Sequence, residues 1–327
     1  MRHHLTRARR ALTLRASFAL VAFIVLALVA PGAVRAAEPT VVSVGATPGD
    51  TSAVVFFAQD LGYFRAAGLD VRIQTMTSGV LTAGAVASNA LDIGLASVGT
   101  MAAAYLHGIP LRYIAPAAVA SPQTLTDLMM VAKASPIQKA ADLNGKTIAL
   151  NGLKNLQQIC AMAWVDKHGG NSKTLKFIEM PESQMAVALE QNRVAAAMMV
   201  EPFVSSASAT TRSLGDALDG VGTTFLLLGF ISTDSWLAAH ADAAASFASA
   251  IDKAAVWANA HGKESTALLL RHLKLKLEIA STMARPVYGT RLEASLLQPV
   301  IDDALKYGII DKLVPAADLI WTGTKGS

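Results

Sequence analysis

The chain has 327 residues, is 53% hydrophobic and 16% charged, carries a formal charge of +4, and contains one cysteine, Cys160. Residues 1–36 hold six arginines and no acid, so the remaining 327 − 36 = 291 residues carry about 4 − 6 = −2. That balance excludes a basic nucleic-acid-binding face, and a lone cysteine excludes an internal disulfide.

Arg2, Arg7, Arg9, Arg10 and Arg15 precede an apolar run from Ala16 to Ala30, then the breaker Pro31-Gly32 and the small residues of Val34-Arg35-Ala36. This order predicts a cleavable signal peptide over residues 1–36, a mature terminus at Ala37 and delivery to the periplasm. The apolar run is shorter than the roughly 20 residues of a spanning helix. Arg9-Arg10 leaves twin-arginine export open beside the general secretory route. Cys160 reads as a buried helical residue.

Thr40–Val44 alternates as a strand, and Gly45–Ser52 follows it as a loop in which Thr51 or Ser52 is expected to cap a helix running to Ala67. Gly68 stops that helix. Leu69–Ile73 is a strand, Ser78-Gly79 opens a helix to about Ser88, and Ile93–Ala96 is a short buried strand ending in Ser97-Val98-Gly99-Thr100 and a third helix. Leu111–Val119 is a strand with Pro116 arguing for an edge or an end. A first crossing between lobes is expected near Ser121–Leu125. Asp127–Lys133 and Lys146–Leu150 are strands, the second introduced by the turn Asn144-Gly145. Asn151-Gly152-Leu153-Lys154-Asn155 then leads a helix through His168. Lys173–Ile178 is a strand, Glu182–Gln191 a helix, and Val194–Val200 a strand running into Glu201-Pro202. Thr223–Thr233 is read as the crossing back. Helices follow from Trp236, over Asp242–Ala260 with Asp242 as cap, and over 264–273 and 292–307, the last two expected at the back of the first lobe.

Strands alternating with helices imply an α/β fold. Open α/β sheets bind ligands beyond the carboxyl ends of their strands, and helix starts there offer unpaired N–H groups and the positive end of the helix dipole. The candidate ligand residues are therefore Asp50 and Thr51, Ser78 and Gly79, Ser97, Gly99 and Thr100, then Asn151, Gly152 and Lys154, and finally Glu201. Lys154 is the only cation in these loops.

The run Ala58, Leu61-Gly62-Tyr63-Phe64, Gly68-Leu69-Asp70-Val71, Gly79 and Asp92-Ile93-Gly94 resembles the substrate-binding proteins of ABC importers of the sulfonate/taurine/nitrate type, a group related to binders of a thiamine pyrimidine precursor. Asn89 stands where that pattern has Gly. Further on, Asn192 and Ala195 replace a Gly and an Asp, while Glu201-Pro202 is kept. The resemblance implies a type II periplasmic binding protein of two lobes, each a mixed, mostly parallel sheet flanked by helices. Residues 37–122 with 227–327 would form lobe 1 and residues 123–226 lobe 2, with hinges near Ser121–Leu125 and Thr224–Phe230. It implies capture of a small organic or inorganic anion such as an alkanesulfonate, taurine or nitrate. It further implies a monomer without cofactor that delivers its ligand to an inner-membrane permease.

The sequence carries no P-loop, no G-x-G-x-x-G and no G-x-S-x-G. Its histidines beyond the leader (His107, His168, His240, His261 and His272) are not at metal-ligand spacing. An enzyme is not expected. The alternatives are a pyrimidine-precursor binding or biosynthetic protein of the same superfamily, and a periplasmic sensing module.

Overall fold

The structure is a computed structural model that describes residues 38–273 and 275–323. The expected signal peptide and its cleavage site lie outside those residues. Two sheets organise the rest. The first has strand order β11-β4-β10-β3-β1-β2, with β1 Thr40–Ala46, β2 Leu69–Thr75, β3 Ile93–Ala96, β4 Leu111–Val119, β10 Leu226–Thr233 and β11 Val287–Tyr288. The second has order β7-β6-β8-β5-β9, with β5 Asp127–Ala132, β6 Thr147–Leu150, β7 Lys176–Glu179, β8 Ala196–Val200 and β9 Thr211–Asp216.

Both sheets are mixed: four of the six strands of the first and four of the five of the second run in the same direction. β1 pairs in parallel with β2 and β3, and β6 with β7 and β8. β10 and β5, the strands by which the chain enters each sheet after a crossing, run antiparallel to both neighbours. The carboxyl ends of β1, β2 and β3 therefore share one edge, and those of β6, β7 and β8 share another. The return crossing is residues 217–225; from Leu226 the apolar run expected to cross is a strand between β3 and β4, because its alternate side chains fill both faces of that sheet. Strand β9, TRSLGD, has too few apolar residues to stand out in the sequence.

The first helix is two. α1 Val54–Asp60 and α2 Tyr63–Ala66 are separated at Gly62, whose φ of 74° is a left-handed value that glycine adopts without strain. The expected cap at Thr51 or Ser52 is absent. Residues Asp50–Ser52 form a 3-10 turn, Ala53 precedes α1 without a side-chain cap, and Ser52 Oγ donates to the Gly49 carbonyl at 3.0 Å. Helix α3 is Gly79–Ala87, α4 Val98–Leu106, α5 Leu156–Lys167, α6 Glu182–Glu190, α7 Phe203–Ser206 and α8 Asp234–Ala239. α9, Ala241–Ala260, starts from His240 rather than Asp242, which sits in its first turn, where an acid complements the helix dipole. α10 Gly262–Leu273, α11 Leu277–Thr282 and α12 Ala294–Lys306 complete the set.

Pro116 falls inside β4, opposite Gly229 of β10 at a register shift, an irregularity of the kind in which a residue without an N–H is found. One apolar core lies behind the first sheet, where Phe64 and Phe230 pack on Phe247 of α9 at ring separations of 5.1 and 5.2 Å. A second core is shared by both sheets. Met101 of α4, Ile159 and Trp164 of α5, and Leu297, Val300 and Ile301 of α12 all belong to it. Helix α12 thus seals α4 to α5 instead of lying at the back of the first lobe, and Cys160 is buried in the same core. No helix among the described residues is long and apolar enough to cross a membrane.

Candidate functional site

Asp92 explains how the first edge is held. Its carboxylate accepts from Ser43 N–H and Ser43 Oγ, both at 2.7 Å, while Asp92 N–H donates to Ser43 Oγ at 3.0 Å. The Ser232 hydroxyl donates to its carbonyl at 2.6 Å, adding β10. The acid of the Asp92-Ile93-Gly94 motif therefore locks three strands together just before β3. Gly94 and Gly45 let α3 approach: a Cβ on either would fall within 3.0 Å of Thr82.

Three helices then start in contact with one another. Ser78 caps α3, its Oγ accepting from Leu81 N–H at 3.3 Å. Ser97 caps α4, accepting from Thr100 N–H at 3.4 Å and sharing a 3.1 Å hydrogen bond with Thr100 Oγ1. Asn155 caps α5, its Oδ1 accepting from Gln158 N–H at 3.3 Å. A Cβ on Gly79 would lie 4.0 Å from Ser97 N, and one on Gly99 would lie 3.6 Å from Asn155 C and from Leu156 N and 3.0 Å from Ile159 Cδ1. The starts of α3, α4 and α5 thus form a continuous row that passes from the first sheet to the second at Gly99. Each cap takes one amide. The first two N–H groups of each helix have no intrahelical acceptor and, with the positive dipole end of each helix, favour negative charge.

The loop before α5 is tightly organised. Asn151 N–H donates to Gln157 Oε1 at 2.8 Å, Leu153 N–H to Glu179 at 3.3 Å and Lys154 N–H to Gln158 Oε1 at 2.7 Å. Asn151 Oδ1 accepts from Asn155 Nδ2 at 2.9 Å. Lys154 is exposed and held at φ 54°, an unusual conformation for a residue with a Cβ. Gly152 is buried, and a Cβ there would fall 2.8 Å from Asn155 Nδ2.

The two acids are engaged within the protein. Asp50 is 1% exposed, and its carboxylate accepts from Arg285 Nε, from Arg285 Nη2 at 3.1 Å and from the Tyr288 hydroxyl at 2.6 Å. Burial pushes its carboxyl up, with Arg285 opposing. Thr51 sits half-buried in the same turn. Glu201 is 6% exposed and accepts from Ser205 N–H at 3.1 Å and from Ser205 Oγ at 2.8 Å. Burial also pushes Glu201 up, and the charge of Asp50 adds to that.

The structure thus brings Ser78, Gly79, Ser97, Gly99, Thr100, Asn151, Gly152 and Lys154 around one row of helix starts, and places Asp50 and Glu201 in internal networks. Sequence reasoning missed Arg285, Tyr288, Gln157 and Glu182. Arg285 lies 235 residues from Asp50, with no local pattern to link them. Among the described residues no group of three or more His, Cys, Asp or Glu is placed to hold a metal ion. A concavity of about 650 Å³ lies around Lys146, Thr147, Asn192 and Arg193, at the amino ends of β6 and β8 and so opposite to the helix starts.

The fold has solved relatives. The periplasmic aliphatic sulphonate binding protein SsuA of Escherichia coli is 18% identical, covering 88% of this chain and 94% of its own, with a TM-score of 0.71. The alkanesulfonate-binding protein SsuA of Xanthomonas axonopodis pv. citri, solved with MOPS, is 18% identical, with coverages of 87% and 99% and a TM-score of 0.72. The periplasmic nitrate-binding protein NrtA of Synechocystis PCC 6803 is 14% identical, with coverages of 84% and 83% and a TM-score of 0.68. No curated protein matches the chain by sequence. The family profile described as NMT1/THI5 like matches residues 50–265, from the Asp50 turn into α10, which is about two thirds of the chain. The chain belongs to the NMT1/THI5-like family.

Proposed function

We propose that this chain is an extracytoplasmic solute-binding protein of an ABC importer, which captures a small organic or inorganic oxyanion between its two sheets. The observation that carries this reading is the contact of the α4 start with the α5 start at Gly99. Backbone N–H groups from both halves can then converge on one ligand, and Lys154 adds a cation. The engagement of Asp50 by Arg285 and Tyr288, and of Glu201 by Ser205, removes the two acids on which an amine-bearing ligand would depend. The sulfonate and nitrate binders that share the fold agree with an oxyanion. The protein acts as a monomer in the periplasm, hands its solute to an inner-membrane permease and needs no cofactor. Hinge motion between the sheets opens and closes the site.

Isothermal titration of the exported form with methanesulfonate, taurine, nitrate and a neutral aminopyrimidine tests this. Binding of at least one anion tighter than about 1 mM, with the pyrimidine silent, is the expected result. Binding of the pyrimidine alone would move the chain to the precursor-binding branch of its family.

A further inference from the structure

Glu182 is the first residue of α6 and stands just beyond the carboxyl end of β7. Its carboxylate gathers groups from three other segments. Oε1 accepts from Asn151 Nδ2 and Gln157 Nε2, both at 2.9 Å, and Oε2 accepts from Val200 N–H at 3.0 Å. Asn151 follows β6, Gln157 lies in the first turn of α5, and Val200 ends β8. The chain of contacts continues outward. Gln157 Oε1, turned away from Glu182, takes the Asn151 N–H, and Asn151 Oδ1 takes Asn155 Nδ2. Asn155 is the cap of α5 and touches Gly99 across the sheets.

We propose that Glu182 is a positioning residue, holding residues 151–155 in the shape that presents the α5 start and Lys154 to the solute. This rests on the reading that the row of helix starts is the binding site. All three partners of Glu182 are donors. A protonated carboxyl would bring a hydrogen for which none of them offers an acceptor, so the network requires the carboxylate. Burial works against that charge, as does Asp127 on β5, and together they push Glu182 up to about 7. The other charges on the packed elements are Glu179, which holds Leu153 N–H, Lys154 on the loop, Glu201 after β8, and Asp216 of β9, which acts on Asp127. The Asn151 and Gln157 donors favour the ionised form over a Glu182 that stays packed beside Val200 but has lost them, so the loop contacts are expected to tighten as pH rises through neutrality.

The test is amide hydrogen exchange on the full exported chain without ligand, corrected for intrinsic rates, from about pH 6 to pH 8. Peptides covering 151–158 are compared with peptides from the second half of α5, in wild type, Glu182→Gln and Glu182→Asp. In wild type the loop is expected to gain protection with rising pH while the end of α5 does not. In Glu182→Gln the loop should exchange about tenfold faster at pH 8 and lose its pH profile, consistent with losing hydrogen bonds to a charged group. Glu182→Asp should restore part of the profile. Equal changes in the loop and in α5 would make Glu182 a general stabiliser and overturn the proposal. If the Gln variant does not fold, the wild-type profile decides alone, and a flat loop profile overturns it. Because no solute is used, a wild type that binds none of the anions defeats the functional reading and leaves this result standing.

Discussion

Arg285 closes on Asp50 from 235 residues away in the chain, pairing Nε and Nη2 with the two carboxylate oxygens. Its Nη1 also donates to Thr266 Oγ1 at 2.6 Å and Tyr288 supplies a further hydroxyl, so the pair ties the turn after β1 to α10 and β11. Arg285→Ala strands a buried carboxylate and should cost about 3–5 kcal/mol in urea unfolding. Asp50→Asn keeps a smaller, neutral partner and should cost about 1–3 kcal/mol. Affinity per folded molecule should stay near wild type in both. A collapse of affinity in Asp50→Asn at unchanged stability would return Asp50 to the ligand.

Lys154 separates a charge from a backbone constraint. Lys154→Ala should weaken an anion about ten- to a hundredfold, the 1.5–3 kcal/mol of a charge-assisted hydrogen bond, without abolishing binding, since backbone donors remain. Lys154→Gly removes the same charge but relieves the left-handed φ of 54°. It should bind as weakly as the alanine variant while melting higher, with a gain of about 1 kcal/mol. Titration calorimetry and thermal unfolding, run on the same two variants, distinguish the contributions.

Gly99 is where the two halves touch. A valine there meets Ile159 Cδ1 at 3.0 Å and then the backbone of Asn155 and Leu156. The flexible Ile159 end can yield, but the backbone cannot without moving α5 away from α4. Gly99→Val is expected to fold, to bind every tested anion at least about a hundredfold more weakly, and to show a larger radius of gyration in solution scattering. Unchanged scattering together with lost binding would assign Gly99 to ligand space alone.

Two carboxylates predict an acid-stabilised protein near neutrality. Burial raises Glu182 from its ordinary 4.5 to about 7 and Asp127 from 3.8 to about 6. Between the ordinary and the raised values the folded chain binds more protons than the unfolded one, so stability falls as pH rises through that window. The melting temperature should therefore climb from pH 8 to about pH 5.5, and Glu182→Gln should flatten the upper part of the climb. The loop before α5 is expected to respond in the opposite sense, because its opening removes the Asn151 and Gln157 donors to Glu182 without unfolding the chain that buries it. A melting temperature that rises with pH over this window would contradict the assignment.

Much of the fold was legible because its punctuation is chemical. Asn89 and Asn192 replace glycines of the resembled pattern and sit at φ 59° and 55°, left-handed positions that asparagine tolerates better than other side chains. Their departure from the pattern is thus conservative in backbone terms. The helix starts were legible too, since Ser78, Ser97 and Asn155 have capping side chains followed by small or apolar residues. What escaped was anything set by distance. Asp50 reads as a polar loop residue until Arg285 is known to reach it. Glu182 reads as an ordinary first-turn acid until the ends of β6 and β8 are brought beside it. β9 carries Arg212, Ser213 and Asp216 on a partly buried strand, so tertiary pairing with β5 outweighed its composition.

The order of strands also sets an order of events during synthesis. β3 and β4 leave a ribosome early, yet they are not neighbours; β10, residues 226–233, fills the gap between them. The five strands of the second sheet, by contrast, are contiguous in the chain from Asp127 to Asp216. The inserted half can therefore assemble while the half that hosts it still waits for its central strand. Only when α12 follows, within the last 34 residues, does the shared core close. Until β10 arrives, β4 has no strand to join it to β3, so the first sheet is finished only after the second has been made.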